Sequence, residues 1–363
     1  MQPVAQNFSR ITARTVDEVE CVLSVLLAIW IAHRLNATHV SWAAYAGYMV
    51  MRGHVGETLS RGSLRIVGTI GGGLIALGIT PYLVGSTPLA AIALLLVGAG
   101  SLYAALTARR AYAWLFYGLT FAMVVLDKLE KPNIALQSFV ETRILENIAG
   151  TAACMAVSLL STLSLRRLWP APPSPRTPIV RWHPDAFRHA IQAGLALAVL
   201  VLLGTRFHFP ALAQSAITIM AVLLVPASGL SATSATPVRQ RLRHRFLGCM
   251  AGAALAGLVL LVAQGSAFLL ILGTVAGIVI GRHIENGTSP YRYAGMQFTL
   301  AMLVILVPDN YTGVSTEPGY ERLIGILIGM ALLEPILIFS HWLVPKNIDA
   351  PTSVDASEKV GEL

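Results

Sequence analysis

Arg61-Gly62-Ser63-Leu64-Arg65-Ile66-Val67-Gly68-Thr69-Ile70-Gly71-Gly72 opens one long apolar stretch, and Arg241-Leu242-Arg243-His244-Arg245-Phe246-Leu247-Gly248-Cys249-Met250-Ala251-Gly252 opens another. Both read R-x3-R-x2-G-x3-G. Two arginines one helical turn apart are followed by two glycines one turn apart, at the mouth of a hydrophobic helix. The correspondence runs further. Arg143-Ile144-Leu145 with Gly150 matches Arg322-Leu323-Ile324 with Gly329, and Thr120, Ala122 and Met123 match Thr299, Ala301 and Met302. The offset is 180 residues at the arginine motif and 179 at the other two. One spacing held across four helices marks a duplication, a frequent origin of transporter folds.

Composition sets the solvent. Hydrophobic residues make up 55% of the 363 and charged residues 12%, against about 25% charged in soluble domains. The mean hydropathy is +0.67. The apolar residues come in runs near the length needed to cross hydrocarbon. The expected fold is an all-α integral membrane protein of about twelve transmembrane helices, arranged as two parallel six-helix repeats. The spans fall near 18–35, 39–52, 62–84, 87–107, 111–127 and 141–167, then 186–205, 209–227, 242–264, 266–282, 290–307 and 320–344. Helices follow because unpaired backbone groups are not tolerated in lipid. The second span of each half is short.

The net charge of +8 belongs to topology and not to nucleic acid, because the basic residues sit at the ends of the apolar runs. With the N-terminus in the cytoplasm, inside segments hold 20 of the 26 Lys and Arg residues and outside segments 6. Both termini are expected in the cytoplasm, and six spans per half give the two halves one orientation. The domains expected are a first repeat over 1–168, a proline-rich linker over 169–185, a second repeat over 186–345 and a polar tail over 346–363. Pro170, Pro172, Pro173, Pro175 and Pro178 stop any helix in the linker and stiffen it. The first 18 residues have no apolar core of a signal peptide, so insertion is expected to use the first span.

Several residues carry candidate chemistry. Arg61 with Arg65, and Arg241 with Arg245, are i,i+4 pairs at the cytoplasmic ends of their spans. They suit either recruitment of a carboxylate or simple topology and headgroup contact. Arg143 and Glu146 are i,i+3 in the sixth span. Arg322 repeats the arginine while Gly325 replaces the glutamate. An ionisable residue inside a span costs about 2.5–3.5 kcal/mol on insertion scales, so Glu146 is either a proton relay or the partner of Arg143. Glu334, before Pro335, is a second protonatable candidate or an end anchor. Trp42, Tyr45 and Tyr48 form a stripe that suits an aromatic ligand or helix packing. Gly68, Gly72, Gly248 and Gly252 read as close-packing positions. Cys21, Cys154 and Cys249 form no CxxC pair, and the histidines show no ligand spacing, so no metal or cofactor is expected. No phosphate-binding loop or nucleophile elbow is present, which leaves no catalytic residues to assign.

Val40-Ser41-Trp42-Ala43-Ala44, Gly56-Glu57-Thr58, the Arg61/Arg65/Gly68/Gly72 motif and Arg143-x2-Glu146-x3-Gly150 resemble the fusaric acid resistance (FUSC) proteins. These belong with the aromatic acid exporters and the plant aluminium-activated malate transporters. The resemblance covers nearly all of 16–345, once per half. It implies proton-driven efflux of a small organic anion, an aromatic or other carboxylic acid, across a bacterial inner membrane, often with a periplasmic adaptor. It carries Arg61, Arg65, Arg143, Glu146 and Arg322 over as functional positions, with Arg241 and Arg245 by repeat. Larger family members have a sizeable cytoplasmic domain between the halves, where this chain has only the proline linker. Two other classes stay open: a passive organic-anion channel and a non-transporting membrane scaffold.

Overall fold

The computed structural model describes residues 3–171, 182–225, 236–311 and 317–342. Most of the proline linker, the polar tail and the basic residues Arg176, Arg181, Lys346 and Lys359 lie outside the described residues.

Each apolar segment marked in the sequence contains a helix among the described residues. The described residues form α1 (Pro3–Arg34), α2 (Val40–Val50), α3 (Val55–Leu83), α4 (Thr87–Thr107), α5 (Ala111–Glu130), α6 (Leu136–Leu163), α7 (Leu165–Leu168), α8 (Pro184–Phe207), α9 (Leu212–Leu223), α10 (Thr236–Ala263), α11 (Ala267–Glu285), α12 (Arg292–Leu306) and α13 (Glu317–Trp342). No strand occurs among the described residues. Eight helices, α3–α6, α8, α10, α11 and α13, contain stretches long and apolar enough to cross a membrane. The other expected spans depart from that measure for physical reasons. α2, α9 and α12 have 11, 12 and 15 residues, or about 17–23 Å at 1.5 Å per residue, short of a ~30 Å hydrocarbon core. α1 is long enough but carries Asp17, Glu18 and Glu20 midway.

The outer faces of the long helices are apolar and uncovered. Val67 and Leu74 on α3, Ile92 and Leu96 on α4, Leu261 and Val262 on α10 and Phe339 on α13 are all exposed. In water such faces would drive aggregation, whereas lipid tails cover them without cost.

Glycines set how closely the helices approach. A Cβ at Gly68 or Gly72 would collide with the Ala113 and Tyr117 carbonyls of α5, and one at Gly248 or Gly252 with the Ala294 and Phe298 carbonyls of α12. α3 therefore lies in backbone contact with α5, and α10 with α12. α4 packs along α8, where a Cβ at Gly98 would collide with Leu197 and one at Gly194 with the Leu95 carbonyl. α5 packs on α9, α11 on α1, and α12 on α2. One apolar core runs through α3–α6, α8–α10 and α13, and a second through α1, α2, α6 and α10–α12. The three cysteines are free and buried, as small apolar side chains.

At the α1–α11 end, Asp17, Glu20, Arg166, Arg282 and Glu285 form a buried ionic cluster. Arg282 Nε lies 2.6 Å from Asp17 Oδ2, and Arg166 Nη2 lies 2.5 Å from Glu20 Oε2. Tyr48 donates its hydroxyl proton to Glu285 Oε2 at 2.6 Å. This cluster ties α1, α2, α7 and α11 together.

Candidate functional site

The short helices α2 and α9 begin without a local side-chain cap. Their first N–H groups are satisfied by carboxylates from distant helices instead. Glu130, the last residue of α5, accepts from Ala211 N–H at 3.0 Å and from Leu212 N–H at 3.1 Å, at the start of α9. Asp309, just beyond α12, accepts from Val40 N–H at 2.9 Å, at the start of α2. Glu130 and Asp309 are 179 residues apart, the spacing of the internal duplication. The negative charges sit at the positive ends of the two helix dipoles. Ala211 holds a left-handed backbone with φ 60°, a conformation that costs an alanine about 1–2 kcal/mol and that the Glu130 contact pins in place.

A cavity of about 360 Å³ opens between these capped ends. Trp42, Asp127, Glu130, Lys131, Arg143 and Asp309 are among its lining residues. Arg143 is its best-supported cation. Its guanidinium stacks 4.7 Å from the centroid of the Trp42 ring, with Asp127 at 3.4 Å and Glu146 at 3.3 Å. Glu146 is fully buried and also accepts from His39 N–H at 3.0 Å. Trp42 meets Tyr45 edge to face at 5.1 Å. On the far side of that pair, Arg322 stacks 5.3 Å from the Tyr45 ring. The Tyr45 hydroxyl donates to the Leu300 carbonyl at 2.6 Å. One aromatic pair on α2 is thus flanked by the two arginines that occupy equivalent places in the sequence.

The four arginines of the repeated motif are elsewhere, and none of them lines the cavity. Arg65 is buried and donates through Nε to Asn147 Oδ1 at 2.6 Å, with its guanidinium 4.0 Å from the Phe116 ring. Arg245 is buried and donates to Gln297 Oε1 at 2.8 Å and to Thr218 Oγ1 at 3.3 Å. Arg61 lies 4.1 Å over the Tyr112 ring, and Arg241 4.4 Å over the Tyr293 ring. The sequence leaves these pairs open between recruitment of a carboxylate and topology with headgroup contact; the structure packs Arg65 and Arg245 inside helix interfaces, where aromatic faces and amide oxygens supply partners. Glu334 lies apart from the cavity. It is half exposed and pairs with Arg239 at 2.9 Å.

Glu130, Asp309, Asp127 and His39 are site residues that motif reading does not reach. The signal was available for one pair: extending the 179-residue offset from Arg143 and Arg322 to the nearby acids matches Glu130 with Asp309. No cluster of metal-binding side chains occurs among the described residues.

Comparison with curated proteins and with solved structures finds no match. A family model described as fusaric acid resistance protein-like matches residues 27–157 and 227–333. These two segments make up more than half of the chain and contain Trp42, Arg143, Glu146, Arg245, Asp309 and Arg322. The chain belongs to the fusaric acid resistance protein-like family of membrane transport proteins.

Proposed function

We propose that the chain is an inner-membrane transporter that exports small organic carboxylates, above all aromatic ones, at the expense of the proton gradient. The observation that carries this reading is the Arg143–Trp42 stack in the wall of the cavity. It sets a guanidinium for a carboxylate beside a ring face for an aromatic body. The volume of about 360 Å³ is within the usual range for a small-molecule site.

Twelve spans in two parallel six-helix repeats, 1–168 and 186–345, are part of the proposal. Reciprocal packing supports it. The contact of α4 with α8 is answered by that of α11 with α1, and the contact of α5 with α9 by that of α12 with α2. The Glu130 and Asp309 caps exchange between the halves in the same sense. The short α2 and α9 act as interrupted helices at the seam, a known device of transporter sites. With both termini in the cytoplasm, the cavity faces the periplasm. Its acids Asp127, Glu130, Asp309 and Glu321 then disfavour return of a released anion, and a periplasmic adaptor would meet this face. Arg61, Arg65, Arg241 and Arg245 add positive potential toward the cytoplasmic side and favour capture of the anion there.

Glu146 is the coupling carboxylate in this reading. It is buried against Arg143, so its protonation state sets the charge around the guanidinium that takes the substrate. Glu334, in its half-exposed pair, serves at most as an accessory proton site. The test is accumulation of benzoate by vesicles containing the purified protein under an imposed pH gradient. Glu146→Gln is expected to lose gradient-driven accumulation while keeping downhill exchange. Accumulation equal to wild type in that variant would remove Glu146 from the coupling step. A wild-type protein indifferent to the gradient would favour the channel reading.

A further inference from the structure

Arg143 and Arg322 occupy equivalent places in the duplication, yet their surroundings differ in charge. Arg143 has Asp127 and Glu146 as counterions. At the same 179-residue offset, the second half has Leu306 in place of Asp127 and Gly325 in place of Glu146. Arg322 is nevertheless only 2% exposed. Its Nε has no hydrogen-bond partner, its Nη2 lies 4.0 Å from Cys249 Sγ, and its guanidinium faces the Tyr45 ring. Among the described residues, no carboxylate pairs with it.

A second buried cation is close by. Cys249 Sγ lies 3.8 Å from Gln297 Oε1, and that oxygen accepts from Arg245 Nη1 at 2.8 Å. Arg245 is also 2% exposed, and its hydrogen-bond partners are an amide and a hydroxyl. Two guanidinium groups taken out of water cost several kcal/mol each and repel one another, unless a negative charge joins them. The surrounding side chains are closely packed. Tyr45, Cys249 and Gln297 are each no more than 3% exposed, so any group held between the two guanidinium groups must be compact.

We propose that the second half binds a compact anion, a halide or a carboxylate group, between α10, α12 and α13, held by Arg322 and Arg245 beside Cys249 and Gln297. The site is separate from the cavity and does not depend on the transport reading. The anion takes the place that Asp127 and Glu146 hold around Arg143 in the first half. A halide comes from the bulk solution, and a carboxylate is the head of an organic acid.

The test is calorimetric titration of the full chain in lipid nanodiscs, in sodium HEPES buffer free of other small anions, with sodium bromide in one arm and sodium benzoate in the other. Wild type is expected to bind at least one of them, and the benzoate arm is read in the Arg143→Gln background so that binding in the cavity is not counted. Bromide alone identifies a halide site, and benzoate, with or without bromide, a site open to carboxylates. Arg322→Gln is expected to weaken that binding by about thirtyfold or more, the effect of removing one member of a buried charge pair. Leu306→Asp places a carboxylate at the position equivalent to Asp127 while keeping Arg322, and is expected to abolish binding while raising the melting temperature in anion-free buffer. No binding by wild type, or unchanged binding by either variant eluting as a single folded species, would overturn the proposal. Transport that survives loss of binding leaves the exporter reading in place, and binding without transport leaves the anion site in place.

Discussion

Removing the Glu130 carboxylate tests the crossed caps at the seam. Glu130→Ala strips the partners from two backbone N–H groups, Ala211 and Leu212. Asp309→Ala strips one backbone N–H, that of Val40, because the neighbouring His39 N–H keeps Glu146 at 3.0 Å, and with it an exposed 3.4 Å contact to the His39 ring. A lost N-terminal cap costs about 1 kcal/mol. The expected losses are thus about 2 kcal/mol for Glu130→Ala and about 1 kcal/mol for Asp309→Ala. For a chain of this length, they correspond to melting shifts of about 2–4 °C and about 1–2 °C. Glu130→Gln retains one acceptor oxygen and should fall between Glu130→Ala and wild type. The assay is thermal unfolding of the three variants in one detergent, paired with amide exchange at the start of α9. Faster exchange confined to residues 211–214 in Glu130→Ala is expected, since Ala211 then loses what holds its left-handed backbone. Equal destabilisation by Glu130→Ala and Asp309→Ala, or none from Glu130→Ala, would refute the capping argument.

Other outcomes follow from close approach and burial. Gly72→Leu and Gly252→Leu should abolish recovery of folded protein, because their Cβ positions already meet the backbone of α5 and α12. Gly78→Ala and Gly257→Ala, where open space lies beside the glycine, should be neutral or raise stability by up to about 1 kcal/mol, read by fluorescence size exclusion. Asp17→Asn should destabilise by about 3–5 kcal/mol, because it leaves the buried Arg282 short of its nearest counterion. The corresponding melt should drop by more than that of Glu334→Gln, whose half-exposed ion pair is worth at most about 1 kcal/mol. Arg65→Ala and Arg245→Ala should insert normally but slow benzoate efflux, measured against protein amount in vesicles. Unchanged efflux would remove these arginines from the substrate path.

The helices were legible because lipid leaves the chain few choices. Long apolar runs bounded by Arg and Gly can only become helices there, and the α4 ends fall where the sequence puts them, at 87 and 107. Close packing was legible from the repeated glycines, since Gly68 and Gly248 meet equivalent carbonyls. The depth of the arginines was less so. The R-x3-R spacing fixes a helix face but not what covers it, and Phe116, Asn147 and Gln297 bury Arg65 and Arg245 from helices far away in sequence. What the two repeat-related acids cap was hidden for the same reason. Glu130 and Asp309 look like ordinary polar residues after a span, and their partners lie 81 and 269 residues away. The cavity depends on that crossing, so it emerges only from the fold.

The most direct measurement of the central claim is uphill movement of labelled benzoate in vesicles containing the purified protein, with a proton gradient imposed and then collapsed by a protonophore. The account predicts accumulation beyond that of protein-free vesicles under the same gradient, which disappears on collapse and which Arg143→Gln abolishes. Benzoate that merely equilibrates at the same rate with or without the gradient, or accumulation untouched in folded Arg143→Gln protein, would contradict it.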